Sequence, residues 1–414
     1  MLVAALCVTK SPMKRTGCAL PWLLLFAPLL VSGQIDPVKR DLIQLGYNQA
    51  VQGHAPFAGY AFYYHNQPDF LRTNLTLRLA LAPVYLDSEL GFVSGLGPNT
   101  DFGLGLAGGG FADSYSEIRG GTYYPGESFD GHSAEISANV YHLFNPAGEI
   151  PLNFILRGAA HYSVYAGNDS TAPGFQAPGD HGTFSARTGL RWGGVEPTLF
   201  PPLAMELSAW YEGQFRTDSG AYGFGGDRKL NQQSHLFWAE AALAYTLPES
   251  QQNFYVRLTA GTSLDADRFS GYRLGGFLPL ESEFPLSLPG YYFQEISARQ
   301  FALFNVNYLL PLDPKKRWDV DLNASGAFVD YLPGLDQPGH WLSGVGGGIL
   351  YHSPSDRLKI IATCAYGFDA IRAHGRGAQS VGVLIQLDLG GTHSRTFTTP
   401  QPQHWRGWQW FFGS

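Results

Sequence analysis

Stretch after stretch of this chain alternates apolar and polar residues with a period of two, and the polar side often carries full charges. In residues 74–82, Leu75, Leu77, Leu79 and Leu81 fall on one face and Asn74, Thr76 and Arg78 on the other. In residues 153–164, Phe154, Leu156, Ala160, Tyr162 and Val164 oppose Asn153, Arg157, His161 and Ser163. Residues 184–192 set Phe184, Ala186, Leu190 and Trp192 against Ser185, Arg187 and Arg191, and residues 134–140, 203–212, 237–246, 254–260, 299–308 and 319–325 repeat the pattern. Successive side chains of a strand point to opposite faces, so each stretch reads as a strand with one apolar face. No sustained i, i+3, i+4, i+7 spacing competes with this reading.

Alternation alone would suit a soluble β-sandwich with its apolar face inward. Three features favour a membrane barrel with that face outward. The polar faces hold charges of both signs (Arg157, Arg187, Arg191, Glu206, Glu240, Arg257, Arg299), which a watery lumen accommodates. Strands begin or end in aromatics such as Tyr63, Trp192, Tyr245, Phe254, Trp318 and Tyr351, as rings at two membrane interfaces would. Short connections alternate with long ones, in the manner of periplasmic turns and extracellular loops. Threading up and down gives about sixteen strands between residues 41 and 389, and an even count leaves both termini on the periplasmic side.

Residues 1–33 carry Lys10, Lys14 and Arg15, an apolar run over 19–31, then Ser32 and Gly33. This is the pattern of a secretory signal peptide, and the run is too short, with Pro21 and Pro28 in it, to span a bilayer. The expected organisation is a signal peptide (1–33), a short periplasmic lead (34–40), a transmembrane barrel (41–390) and an aromatic-rich tail (391–414) holding Trp405, Trp408, Trp410, Phe411 and Phe412. The tail is expected either to trail in the periplasm, to fold back and plug the lumen, or to serve as an assembly signal. Loss of the leader takes the formal charge from −7 to −10, which argues against nucleic acid as a partner. Of three cysteines only Cys364 remains, so no internal disulfide framework is expected.

One link is far longer than the others. Residues 264–293 include Leu274, Gly275, Gly276 and Phe277, the prolines Pro279, Pro285 and Pro289, and a tip reading Leu280, Glu281, Ser282, Glu283. Loops of this length inside a compact domain tend to be functional, although a plain surface loop is the simpler alternative. The order of features, a Leu-Gly-Gly near a strand end, a long Gly/Pro loop, then a strand closing in Tyr308-Leu309-Leu310-Pro311-Leu312, resembles the sixth extracellular loop of the bacterial surface antigen superfamily, the BamA/TamA-like outer-membrane barrels. LSGVGGGILYHSP, RLKIIATCAYGFDAI and SVGVLIQLDLG resemble that family's last three strands, and the resemblance is specific over residues 254–390.

The resemblance implies an all-β transmembrane antiparallel barrel of about 16 strands, with the long loop between strands 11 and 12 folded into the lumen. It further implies the outer membrane of a Gram-negative-type bacterium, outer-membrane lipid and lipopolysaccharide as surroundings, and a channel or accessory barrel in outer-membrane transport or biogenesis. Two departures stand out. Family members carry an Arg at the loop tip that meets an acidic partner on later strands, whereas the tip here is acidic and Arg268 and Arg273 lie earlier. Residues 34–40 leave no room for POTRA domains or a patatin hydrolase domain, so POTRA-mediated client delivery is not expected. An unrelated passive porin is the alternative.

Phe277, Leu278, Leu280, Phe284, Leu286 and Leu288 require a surface on which to bury. The lumen wall is the nearest, with Arg157, Arg187, Arg191, Arg257 and Arg299 available to Glu281 or Glu283. Catalytic patterns are missing. Twelve histidines lie scattered without metal spacing, and no G-x-S-x-G elbow or phosphate loop occurs. Ser137 and His161 come closest to a barrel-phospholipase pair, but both face the lumen in this register. No enzyme, cofactor or metal is expected. Asp265 and Asp267 at the loop base are the nearest approach to a cation site, and loop carboxylates are more often solvated.

Overall fold

The computed structural model describes residues 35–36, 39–146, 150–195, 199–279, 282–315 and 317–390. The leader, the aromatic tail and Glu281 lie outside them. Sixteen strands form one closed antiparallel wall: β1 (Arg40–Ala50), β2 (Ala58–Pro68), β3 (Leu75–Ala82), β4 (Tyr85–Phe92), β5 (Thr100–Gly109), β7 (Thr122–Leu143), β8 (Leu152–Gly167), β10 (His181–Gly194), β11 (Leu203–Arg216), β14 (Gln233–Thr246), β15 (Asn253–Leu264), β17 (Ile296–Pro311), β18 (Trp318–Tyr331), β19 (Trp341–His352), β20 (Leu358–Arg372) and β21 (Gly375–Asp388). Five short strands sit in the long links: β6 (Tyr115–Arg119), β9 (Phe175–Gln176), β12 (Ala221–Phe224), β13 (Arg228–Lys229) and β16 (Tyr272–Leu274). Each wall strand pairs with its neighbour, and β1 closes on β21 from Leu42 opposite Asp388 to Ala50 opposite Ser380. No wall edge is left to pair with another chain.

The polarity of packing is the reverse of a sandwich. Outward-facing Ile136 and Phe184 are 62% and 58% exposed, and Leu156, Leu258, Phe304 and Leu322 join them. Inward-facing Gln44, Glu206, Glu240 and Asp321 are at most 4% exposed. Burying the charged face while presenting the apolar one is stable only where the outside is hydrocarbon, so the alternating runs are those of a transmembrane barrel.

Two local features depart from the sequence reading. Strand β7 begins at Thr122, well before the alternating run at 134–140, because its first residues pair with β6 in a hairpin that rises beyond the wall. Gly120 and Gly121, at φ of 53° and 72°, make that tight turn possible. The second departure corrects Arg299. A β-bulge between Ala298 and Gln300 carries it out of the lumen series, and it lies half-exposed on the outer face, 2.5 Å from Asp330.

Candidate functional site

The remaining expected lumen arginines each meet an acid across the wall. Arg157 lies 2.6 Å from Glu135, Arg187 2.7 Å from Glu212, Arg191 3.2 Å from Glu206 and Arg257 3.4 Å from Glu240. Arg78 adds contacts to Asp87 at 3.1 Å and Glu89 at 3.4 Å. The antiparallel register explains most of them: Arg187 lies directly opposite Glu212 and Arg78 directly opposite Glu89, Arg191 and Arg257 are diagonal to Glu206 and Glu240, and Arg157 reaches four positions along β7 to Glu135.

The link between β15 and β17 runs against this inner wall. Its base is fixed by Asp267, whose carboxylate accepts from Arg216 at 2.5 Å, from the Asn231 backbone N–H at 2.8 Å and from Ser270 Oγ at 3.0 Å. That carboxylate therefore ties the loop to its neighbour, and among the described residues no group of three or more His, Cys, Asp or Glu is arranged for a metal ion. Strand β16 then pairs with the start of β17, Leu274 opposite Ile296. Beyond it, the Gly275 N–H donates to Leu286 O and the Leu288 N–H to Gly276 O, both at 3.0 Å, making a narrow hairpin inside the barrel. Gly275 has φ of 140°, and a Cβ there would stand 2.2 Å from Tyr292 O. Only glycine fits.

The hairpin touches both sides of the lumen. Leu274 is fully buried, and Phe277 and Leu278 pack into a cluster with Leu42, Tyr60, Phe62, Tyr64, Leu350 and Leu384 on β1, β2, β19 and β21. At the tip, Phe284 meets the rings of Trp210 and Trp238 at 5.2 and 5.5 Å, and Arg191 lies over Trp210 at 4.9 Å. Glu283 bonds to Arg191 and approaches Arg187 at 3.9 Å. Ser282 Oγ accepts from the Phe284 N–H at 3.2 Å, turning the chain there.

The returning limb runs over wall glycines. Asn305 Nδ2 holds Ser287 O at 2.9 Å, and the Gly290 N–H donates to Ser380 Oγ at 3.2 Å. A Cβ on Gly344 would lie 2.2 Å from Pro289 O, and one on Gly367 2.8 Å from the Tyr291 ring. The limb ends in Glu295, which is paired with Arg372 of β20 at 2.8 and 2.9 Å, both side chains at most 1% exposed. Arg372 also stacks on Tyr292 at 3.7 Å.

Sequence reasoning named neither this pair nor the Trp210, Trp238 and Phe284 contact. The available signals were an acid directly ahead of a strand and two tryptophans at lumen-facing positions of neighbouring strands.

Between the loop and the wall of β7 to β15 lies a cavity of about 390 Å³. His161 Nε2 lies 2.7 Å from Asp113 Oδ2, and Ser163 donates to the same oxygen. Burial would raise the Asp113 carboxyl, but those two bonds and the imidazole charge outweigh it, so its pKa is lowered. Ser137 faces Ala159 across the β7 and β8 pairing, one step from the Glu135 and His161 pair.

No protein-family model and no curated protein matches the sequence. Solved structures do match. CdiB from Acinetobacter baumannii aligns with a TM-score of 0.55 and 10% identity over 85% of this chain and 60% of its own length. CdiB from Escherichia coli gives 0.55 and 13% over 86% and 66%. BamA from Haemophilus ducreyi lacking POTRA domains 1-3 gives 0.51 and 10% over 84% and 70%. The chain thus spans under two thirds of the length of either CdiB chain. It has the barrel fold of the BamA/TamA-like outer-membrane proteins.

Proposed function

We propose that this protein is an outer-membrane transport barrel whose lumen is closed at rest by residues 265–295, and that it conducts when this loop leaves its seat. The observation that carries the reading is the double anchorage of the loop, by Glu283 and Phe284 on one side of the lumen and by Glu295 on the other. A segment held at one end only would line the wall, whereas one held on both sides obstructs the passage. The apolar exterior supports a lipid setting, and the likeness to CdiB and BamA supports a place in outer-membrane transport or biogenesis.

Conductance in planar lipid bilayers tests the proposal. The intact chain is expected to give low conductance with brief openings, and deletion of residues 277–293 a large, steady conductance. Equal, high conductance in both would favour a passive porin. Equal, low conductance would mean that something other than the loop closes the barrel.

A further inference from the structure

The β6–β7 hairpin does not stand upright on the rim. It leaves the wall ahead of Phe129, where β7 stops pairing with β8 and pairs with β6 instead, and its tip comes down on the far side of the mouth. A Cβ on Gly121, at φ of 72°, would run into Ile371 O and lie 3.0 Å from Arg372 Nη1 on β20. Ile118 and Tyr123, on either side of the turn, are buried in one cluster with Ala50 at the end of β1 and with Tyr292 of the loop. β7 is sixth and β20 fifteenth of the sixteen wall strands, so the hairpin joins strands seven places apart by the shorter way round. It crosses the mouth.

Along this crossing the hairpin touches both limbs of the loop. Its near half holds the rising limb: Tyr115 stacks on Phe269 with ring centres 5.3 Å apart, Arg273 Nη2 donates to Ser116 O at 3.0 Å, and Arg268 Nε lies 3.3 Å from Glu117. Glu117 is fully buried and also meets Arg228, from the link between β11 and β14, at 3.6 Å. Its far half covers the returning limb through Ile118, Tyr123 and Tyr292, beside the Glu295 and Arg372 pair. A loop covered on both limbs cannot swing out through the extracellular mouth until the cover moves. Among the described residues β6 has no ladder partner besides β7. A lone two-stranded hairpin is marginally stable in water, so the tip can open locally while the wall stays intact.

We propose that the β6–β7 hairpin is a latch on the loop: its tip must lift from β20 and β1 before residues 265–295 can leave the lumen on the extracellular side. This regulation rests on the transport role proposed above, while the latch itself is read from release of the loop and not from conduction.

The test is limited proteolysis of the full chain on intact cells by a glutamate-specific protease, with cuts after Glu283 identified by fragment mass. A folded protease is too large to enter the lumen, so a cut there reports a released loop, and its rate tracks the released population. The hairpin is shortened by replacing residues 118–123 with Asn-Gly. Glu117 and Tyr124, which are cross-strand partners, then flank a two-residue turn of the kind Asn-Gly favours, and the hairpin no longer reaches β20. Cleavage should be slow with the full hairpin and about tenfold faster or more with the short one, tenfold being about 1.4 kcal/mol. Glu117→Gln, which takes the counter-charge from Arg268 without shortening anything, should give a smaller rise and serves if the short hairpin keeps the chain from the membrane. Gly120→Asn should change nothing, because a Cβ there meets no atom within 4 Å and Asn tolerates its φ of 53°. Unaltered cleavage rates in both hairpin variants, or a rise in Gly120→Asn as large as in the short hairpin, would overturn the latch. If deletion of residues 277–293 leaves conductance unchanged, the loop is not the gate, and the cleavage rates still decide whether the hairpin confines it.

Discussion

The two halves of the inner wall hold the same loop by different physics. On β8, β10, β11 and β14 the wall is a lattice of arginines and acids with two stacked tryptophans, and the loop tip joins it as one more acid and one more ring. On β19 the inward run Gly344, Gly346 and Gly348 is bare of side chains, with Gly367 beside it on β20 and Gly382 on β21, and the returning limb of the loop lies against Gly344 and Gly367 where side chains would otherwise be. The first half selects the tip by charge and tolerates small shifts, since long side chains can follow. The second selects by shape and tolerates none. Its charged contact with the loop, Glu295 to Arg372, sits at the rim and is fully enclosed.

The comparison fails if enclosure is irrelevant, and the largest expected effect tests that. Glu295→Gln leaves Arg372 buried without a counter-charge, a change that costs about 3–5 kcal/mol when one partner of an enclosed pair is removed. The denaturant midpoint of the barrel in micelles should fall, and replacing both residues by Met should recover part of the loss. An unchanged midpoint would place the pair in effective contact with water.

Gly344→Val sharpens the contrast. Its Cβ would meet Pro289 O at 2.2 Å, and overpacking of this kind costs about 1–3 kcal/mol. Limited proteolysis should cut the loop faster in this variant and not in Gly158→Ala, where a Cβ meets nothing within 4 Å. Equal cleavage in the two would mean that the glycine wall does not seat the loop.

The smallest effect is expected on the charged side. With Glu283→Gln, Arg191 keeps Glu206, so the loss should be about 1–2 kcal/mol. Thiol labelling from outside at Ser282→Cys, in a Cys364→Ser background, should be slow with Glu283 present and several-fold faster without it, by the tenfold-per-1.4 kcal/mol rule. Rapid labelling in both would put the tip in bulk solvent.

Much of the wall was legible because alternation reports the side a residue faces, and sixteen strands threaded by turn length follow from it. Arg299 was misassigned because one bulged residue inverts the facing and leaves no mark on periodicity. The hairpin of β6 and β7 left no alternating run in the sequence because Pro125 and Gly126 interrupt its second strand. At the site, the need to bury Phe277, Leu278 and Phe284 was visible in composition. The choice of partners was not, because Glu283 and Arg191 are 92 positions apart and Glu295 and Arg372 are 77 apart. Only the closed geometry brings them together.

The seam between β1 and β21 has a kinetic consequence. Gln44 donates to Gln386 at 3.0 Å across it, and the two are 342 positions apart. Every other wall pairing can form between segments close along the chain, whereas this one must wait for both ends. By the loop-closure scaling of ~0.6 kcal/mol per doubling of length, joining ends this distant costs about 3 kcal/mol more than closing a ten-residue hairpin. Until it forms, both end strands expose unpaired backbone, and contacts of such range slow folding more than they weaken the finished structure. Ring closure is therefore the expected slow step of folding, and reopening the ring the step that limits unfolding.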